Sequence, residues 1–373
     1  MIEKDMLRLS MKKIDWLIWK KLSKLQKGIL MELFFLFLLL ITMFVKIEQK
    51  ETEDTITEQK DYIQWVDFNV TCDALEKAYQ YDIELHETEK PIDWIMILAY
   101  TAAKTGGNFD NSKTVYEEMD SVAAQWKEGN ISIESLKKNL KYFDYYYEAY
   151  TAVLGGLIGQ YKIQQNKENE DTIDWVENYG LKGFSPIAKG FEYSDYDDFG
   201  VSRSYGYKRR HLGHDMMGQT GTPIIAVESG VVEALGWNQY GGWRIGIRSF
   251  DRKRYYYYAH LRQNFPYCKS LEEGSIVTAG DVIGYLGHTG YSTQENVNNI
   301  STPHLHFGIQ IIFNESQKEG ENEIWIDPYP IVKFLLKNRS ETKKDLETKE
   351  WFRIYQMTDP AVEAYKAKKN ENN

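Results

Sequence analysis

A chain of 373 residues is long enough for two or three domains, and its 42% hydrophobic content suffices to bury a core. Its net charge of −10 excludes the basic face that a nucleic-acid partner requires. Its two cysteines, Cys72 and Cys268, lack Cys-x-x-Cys spacing, which excludes a cysteine-based zinc site; two unrelated buried thiols are the reading preferred over one disulfide formed in an oxidising compartment.

Residues 1–27 carry eight basic side chains, with Leu7, Ile14, Leu17, Ile18, Leu22 and Leu25 at helical spacing. That pattern predicts a basic amphipathic helix on an anionic inner leaflet. Ile29 to Val45 then carries a single charge, Glu32, so residues 28–47 are expected to form a transmembrane anchor. No small-residue cleavage site follows, which argues against a removed signal peptide. The excess of Lys and Arg before the span places the N-terminus in the cytoplasm and the rest of the chain outside it.

Residues 48–61 are charged and read as a tether. Residues 62–165 show helical periodicity: Pro91 suits a first turn, Trp94 to Ala103 continues it, and Gly106-Gly107 stops it. Leu136, Leu140, Phe143, Tyr147, Tyr150 and Leu154 step by four and three, predicting one long helix packed into a bundle. Gly155-Gly156 and Gly159 permit close approach or a break. No carboxylate pair or nucleophile stands out there, and the role of the region is not legible.

Residues 166–201 read as linker and loop extension, beginning with a charged run to Asp171. From 202 to 330 the pattern turns to β. Strands are expected over 222–227, 231–236, 243–249, 254–260, 282–286 and 305–311, punctuated by Ser229-Gly230, Gly241-Gly242 and Asp251-Arg252-Lys253. A helix is expected over 331–337, and the remaining tail to 373 is charged and expected to be peripheral or disordered. The fold class expected is α+β: an N-terminal transmembrane helix, a helical middle region and a C-terminal antiparallel all-β domain.

Six of the seven histidines fall between Arg210 and Ile309. In His304-Leu305-His306 a strand period of two puts both imidazoles on one face. His211 and Asp215 come from a segment about ninety residues earlier and can meet them across the sheet. Two histidines and one carboxylate with an open fourth position are what catalytic zinc requires. There is no His-Glu-x-x-His, since His86-Glu87-Thr88-Glu89 is followed by Lys90, so a helix-borne zinc protease site is excluded. Acid–base work then falls to imidazoles off the metal: His260 and the other member of the 304/306 pair.

With these residues in view, 202–311 resembles the M23 family of lysostaphin/LytM-like peptidoglycan metalloendopeptidases. The likeness runs through Ser204-Tyr205-Gly206, His211-x-Gly213-x-Asp215, Gly221-Thr222-Pro223, Tyr258-x-His260-Leu261, Gly287-x-Thr289-Gly290 and His304-Leu305-His306-Phe307. The resemblance implies that His211, Asp215 and His306 bind Zn2+, that His260 and His304 are the catalytic histidines, and that the substrate is a peptidoglycan peptide. One departure is visible: Gln294 to Ser301 intervenes between Ser292-Thr293 and the Pro303-His304 strand, lengthening a loop at the groove edge. His214, beside a ligand, should point away from the metal in an extended segment, and His288 reads as a groove-wall or solvated residue. The function expected is a membrane-anchored zinc endopeptidase acting on the cell wall. The alternative is a non-enzymatic wall scaffold or amidase activator on the same domain.

Overall fold

The computed structural model describes residues 62–166, 173–205, 207–320 and 322–371, together with Ser23, Gln26, Leu36 and Phe37. Tyr62–Asn373 is one compact unit and Met1–Asp61 another. Apart from those four positions, the basic helix expected over 1–27 and the span expected over 28–47 lie outside the described residues. Among the described residues no helix is long and apolar enough to cross a membrane.

The larger unit begins with helices α1 (Cys72–Leu85), α2 (Trp94–Thr105), α3 (Ser112–Glu128), α4 (Ile133–Asn139) and α5 (Phe143–Leu154). Asp93 caps α2 by accepting from the Ile95 amide, and Gly106 ends it in the left-handed conformation. Trp94 through Ala102 are all buried, so α2 is the central helix, as its apolar character on every side demands.

The single helix expected through 136–154 is two. Leu140 is extended and Tyr142 left-handed at φ 69°, which turns the chain between α4 and α5 while both Leu136 and Phe143 stay buried. Helical character also stops earlier than expected, at Leu154. The backbone at Gly156 passes so close to Glu228 that a Cβ there would lie 1.6 Å from Oε1, so only glycine allows the approach.

After that break come β1 (Ile158–Asn166) and β2 (Ile173–Leu181), a hairpin pairing Ile158 with Leu181 and Asn166 with Ile173. Half of the stretch expected as linker is therefore strand or packed loop, with Phe184, Ile187 and Ala188 buried beyond it. A second hairpin follows, β3 (Ser202–Tyr205) and β4 (Tyr207–Arg210). Next come β5 (His214–Met217), β6 (Pro223–Ile225), β7 (Gly230–Asn238), β8 (Gly242–Ser249) and β9 (Arg254–Ala259). Then β10 (Ile276–Val277), β11 (Val282–Tyr285), β12 (His304–Ile311) and β13 (Ile324–Ile326) complete the β region before α6 (Tyr329–Leu335).

The main sheet has the order β10-β7-β8-β9-β12-β13, all antiparallel, and β5 also pairs with β12. One edge of β12 is thus shared between β5, opposite His304–Phe307, and β13, opposite Ile309–Ile311. The strand period assigns Ile245, Ile247, Tyr256, Tyr258, Leu305, Phe307, Ile309 and Ile311 to the buried face. The helices and this face share one core: Phe334 of α6 packs on Tyr79 at 5.6 Å and on Trp94 at 5.7 Å.

The helix expected over 331–337 is α6, while the tail after it, expected to be peripheral or disordered, forms regular elements. It forms the hairpin β14 (Thr342–Lys344) and β15 (Trp351–Arg353), then β16 (Met357–Thr358) against β1, then α7 (Pro360–Glu371). Its charge is mostly surface, while Arg353 is buried and donates to the Ala279 carbonyl at 2.7 Å. Ser340 Oγ likewise donates to the Gly280 carbonyl at 2.7 Å. Cys72 and Cys268 are free, half-buried thiols, pushed up to about 11 and about 12 chiefly by burial.

Candidate metal centre and groove

The open face of the sheet carries the histidines. On β12 this face is presented by His304, His306 and Gln310, because the alternating Leu305, Phe307 and Ile309 are buried in the core. The β5–β12 register sets His306 opposite Asp215. His211, just before β5, is pinned by its own backbone: its amide donates to the Val201 carbonyl at 2.9 Å and its carbonyl accepts from the Gly200 amide at 2.7 Å.

Three ligand atoms converge there. His211 Nε2 is 3.0 Å from Asp215 Oδ1 and 3.0 Å from His306 Nδ1, and His306 Nδ1 is 2.9 Å from Asp215 Oδ1. Among the described residues His211, Asp215 and His306 are the group of three placed to hold a metal ion. Ligand atoms around a tetrahedral zinc at 2.0–2.1 Å are separated by roughly 3.3 Å, close to this triangle. The hydrogen-bonding partners agree. His211 Nδ1 lies 3.2 Å from the Asp198 carbonyl and 3.1 Å from Asp198 Oδ1, an oxygen buried without another partner, so the ring proton belongs on Nδ1. That leaves a lone pair on Nε2 facing a carboxylate oxygen, an arrangement a cation between them stabilises. Burial opposes ionisation of Asp215, but the closeness of the His211, His306 and His304 imidazoles prevails and holds it well below the usual carboxylate range.

The two remaining imidazoles stand beside the triangle. His260 follows β9 with φ 60°, a left-handed turn that aims its ring into the groove rather than along the strand. Its Nδ1 is 2.9 Å from the Thr289 carbonyl and its ring centre is 4.8 Å from that of His304. Burial first, then the neighbouring His304 and His306, hold it well below the ordinary imidazole value, so it is neutral with its Nε2 lone pair available. His304 Nδ1 is 2.8 Å from the Thr302 carbonyl, and its Nε2 is 3.7 Å from Asp215 Oδ1. All five residues singled out in the sequence thus meet at one place.

The other histidines do not join them. His214 points to the opposite face, as alternation predicts, with Nε2 3.0 Å from Asp195 Oδ2 and its ring against Tyr329. His288 is tied by Nδ1 to the Ile300 carbonyl at 2.8 Å and does not line the groove. His86 stacks on Tyr179.

The cluster opens into a groove of about 950 Å³ walled by Tyr240, Tyr255, Tyr257, Tyr291 and Trp325, with Arg203, Arg209, Arg210 and Arg244 on it. The inserted loop 294–301 is fastened rather than loose: Asn296 Oδ1 accepts from Trp243 Nε1 at 2.9 Å, and Asn299 Nδ2 donates to the Tyr291 carbonyl at 2.7 Å. Sequence reasoning missed Asp198, Arg203, Arg209 and Arg244. For Arg244 a signal exists: it alternates with the apolar Ile245 and Ile247 in a predicted strand. Asp198 lies in an aperiodic segment that carries none.

The profile of Peptidase family M23 matches residues 209–322. The L-Ala–D-Glu endopeptidase of Bacillus subtilis (strain 168) is 35% identical over 159 residues, 43% of this chain and 45% of that protein. Lysostaphin of Staphylococcus simulans is 31% identical over 166 residues, 44% of this chain and 27% of that protein. The chain therefore spans less than half the length of these curated relatives. Among solved structures, lytM from Ruminococcus gnavus is 27% identical, with 70% of this chain and 88% of that one covered and a TM-score of 0.42.

Proposed function

We propose that this chain is a membrane-anchored zinc metalloendopeptidase that hydrolyses peptide bonds in peptidoglycan stems or cross-bridges, a reading supported by the match of residues 209–322 to Peptidase family M23. The observation that carries the reading is the meeting of His211 Nε2, Asp215 Oδ1 and His306 Nδ1 within 3.0 Å of one another, with two further histidines beside them. Those three atoms would hold the ion. Zinc bound there supplies a Lewis acid for the scissile carbonyl and lowers the pKa of water to about 7. Every other part is played by side chains of this chain.

His260, neutral and with its Nδ1 proton committed to Thr289, has an Nε2 that takes or returns a proton in the groove. His304 has its Nδ1 proton committed to the Thr302 carbonyl, so its Nε2 faces the same space as an acceptor and, once it has taken a proton there, donates it to a developing oxyanion. The tyrosine walls flank the path of an extended peptide. The basic segment 1–27 and the apolar run 28–47 support placing this groove outside the cytoplasmic membrane.

The test is digestion of purified peptidoglycan by the full chain, with bound zinc measured in the same samples. His260→Ala and His304→Ala should keep the fold and most of the zinc and lose at least about two orders of magnitude in rate. His214→Ala and His288→Ala should change it mildly. A wild-type protein that binds one zinc per chain yet releases no fragment would overturn the enzyme in favour of a scaffold or amidase activator.

A further inference from the structure

We infer that Arg244 and Arg209 form a carboxylate subsite beside the metal cluster, so that the preferred wall peptide carries a free carboxylate next to the scissile bond. This rests on the peptidase reading above and names its substrate class, setting an acidic stem peptide against a carboxylate-free glycine bridge.

Register places Arg244. Ile245 pairs with Tyr258, which sets Arg244 level with Ala259. Ala259 pairs with His306 and His306 with Asp215. Arg244, His306 and Asp215 therefore share one row of the sheet. Two strand spacings of about 4.8 Å put the Arg244 backbone about 10 Å from that of His306, within two or three residues of an extended peptide. Ile245 and Ile247 are buried in the core, so Arg244 faces the groove. Arg209 comes to the same groove at the end of β4. It is bonded through Nη2 to the Tyr291 hydroxyl, and its guanidinium lies 5.6 Å from the ring centre of Tyr240 and 5.0 Å from that of Tyr291. Tyr291 in turn is 5.8 Å from His260.

Their charges are unspent. Arg203 in this groove pairs with Asp198 and Asp215, and Lys318 pairs with Glu233 at 2.7 Å. Among the described residues neither Arg209 nor Arg244 pairs with a carboxylate, and the Nε of each is buried without a hydrogen-bond partner. Both charges are felt at the Tyr257 phenol. A half-buried guanidinium without a counter-charge is costly, and its planar fork matches a carboxylate through two parallel hydrogen bonds. Among the described residues the carboxylates lining the groove besides Asp215 are Glu319 and Glu323, and both are exposed. The anionic part of a peptide is therefore directed to the arginine end, beside His260.

The experiment compares two muropeptides that differ only in a free carboxylate or a carboxamide on the residue next to the scissile bond, with a pentaglycine bridge as third substrate. Wild-type full chain loaded with zinc should cleave the carboxylate form at least tenfold better in kcat/KM than either other. Arg244→Met and Arg209→Met should each lower that value about tenfold and leave the carboxamide form within about twofold, closing the gap. Arg244→Lys should recover part of it, and Lys138→Met, exposed on the helical region, none of these changes. Calorimetry with the acidic product peptide and its amide gives a second readout independent of turnover. If nothing is cleaved but the acidic peptide still binds tenfold tighter and Arg244→Met abolishes the difference, the subsite stands and the peptidase reading falls. Equal cleavage or equal binding of the carboxylate and carboxamide forms by wild type overturns the subsite, as does a variant that lowers both forms alike.

Discussion

A Cβ at position 213 would stand 2.6 Å from both Cε1 and Nε2 of His306, so the Gly213 backbone forms the surface on which that imidazole rests. This gives the glycine of His211-x-Gly213-x-Asp215 a reason of its own: it makes room for the third ligand rather than for a turn. Gly213→Ala should therefore push His306 off the triangle and weaken zinc binding by at least about tenfold, the range found when the groups that orient a metal ligand are lost. Competition with a chromophoric chelator measures it. Wild-type affinity in that variant would show that the ring has another resting place.

Asp198 supplies the corresponding support for His211, with Oδ1 3.1 Å from Nδ1, while its other oxygen is bonded by Arg203. Asp198→Ala should cost about 10–100-fold in zinc affinity with the fold retained, since only the orientation and basicity of His211 are changed. Asp215→Ala or His306→Ala should remove tightly bound zinc altogether. A ranking in which Asp198→Ala is as damaging as Asp215→Ala would make the aspartate at 198 a ligand.

That His304 and His306 share a face was legible because strand alternation is a local signal, whereas the division of the five residues into ligands and catalytic imidazoles came from the family resemblance. Leu305 and Phe307 alternate with His304 and His306, and Gly241-Gly242 marks the turn into β8. The groove's arginines were less legible, since their role depends on which partners a fold leaves them. The break at Tyr142 carries no Gly or Pro, so an unbroken stripe of apolar residues concealed two helices. The hairpin of β1 and β2 was concealed differently: β1 offers only Ile158, Tyr161 and Ile163 among polar residues and the first half of β2 is exposed, which leaves too short a hydrophobic period to read. The charged tail misled for another reason: Arg353 and Ser340 are buried because backbone carbonyls of 279 and 280 await them, which composition does not record.

Arg254 joins the helical region to the β-sheet. It is 1% exposed, bonded to Glu228 through Nε at 2.7 Å and Nη2 at 3.1 Å, and donates from Nη1 to the Ala152 carbonyl of α5 at 2.7 Å. Breaking such a buried pair from one side leaves a buried charge, which for Arg254 the half-exposed Asp251 at 2.8 Å meets only in part. Glu228→Gln is therefore expected to cost about 3–5 kcal/mol of unfolding free energy, and Arg254→Met a similar amount. The double variant should cost less than the sum. Urea titration of the four proteins gives the coupling, and simple additivity would mean that the two side chains do not act as a pair.

Asp93 gives the folded state a pH dependence away from the metal. Burial first, then nearby Asp82, raise its carboxyl to about 6 against hydrogen bonds from the Ile95 amide and Tyr147 that favour the charged form. Between the ordinary value of 3.8 and about 6 the folded chain holds a proton that the unfolded chain has released. Stability from this group is therefore greatest at low pH and falls as pH rises through that window. Asp93→Asn keeps a helix cap and removes the titration. From pH 4 to 6 wild type should lose on the order of 2 kcal/mol relative to Asp93→Asn, allowing for the partial exposure of the group, and then run parallel to it. Parallel curves throughout would place the carboxyl at its ordinary value.

Asn296 tests whether the inserted loop shapes the groove or only decorates it. It sits at φ 62°, a conformation asparagine tolerates better than most residues. Its Oδ1 accepts from Trp243 Nε1 at 2.9 Å and from the Asn264 amide at 2.8 Å, and its own carbonyl accepts from Gln263 Nε2 at 2.6 Å. Two residues on, Asn298 bridges to Thr289, whose carbonyl receives the His260 Nδ1 proton. Asn296→Ala leaves Trp243 Nε1 without an acceptor and places a poorly tolerated residue in a left-handed turn, a loss of about 1–3 kcal/mol confined to the loop. Because the loop is fastened to the segment that orients His260, cleavage should fall by about tenfold while bound zinc stays at the wild-type level. Hydrogen exchange of amides 289–298 should rise in the same variant. Faster exchange there with undiminished cleavage would detach the insertion from the catalytic histidine and leave it as an edge that the substrate passes without using.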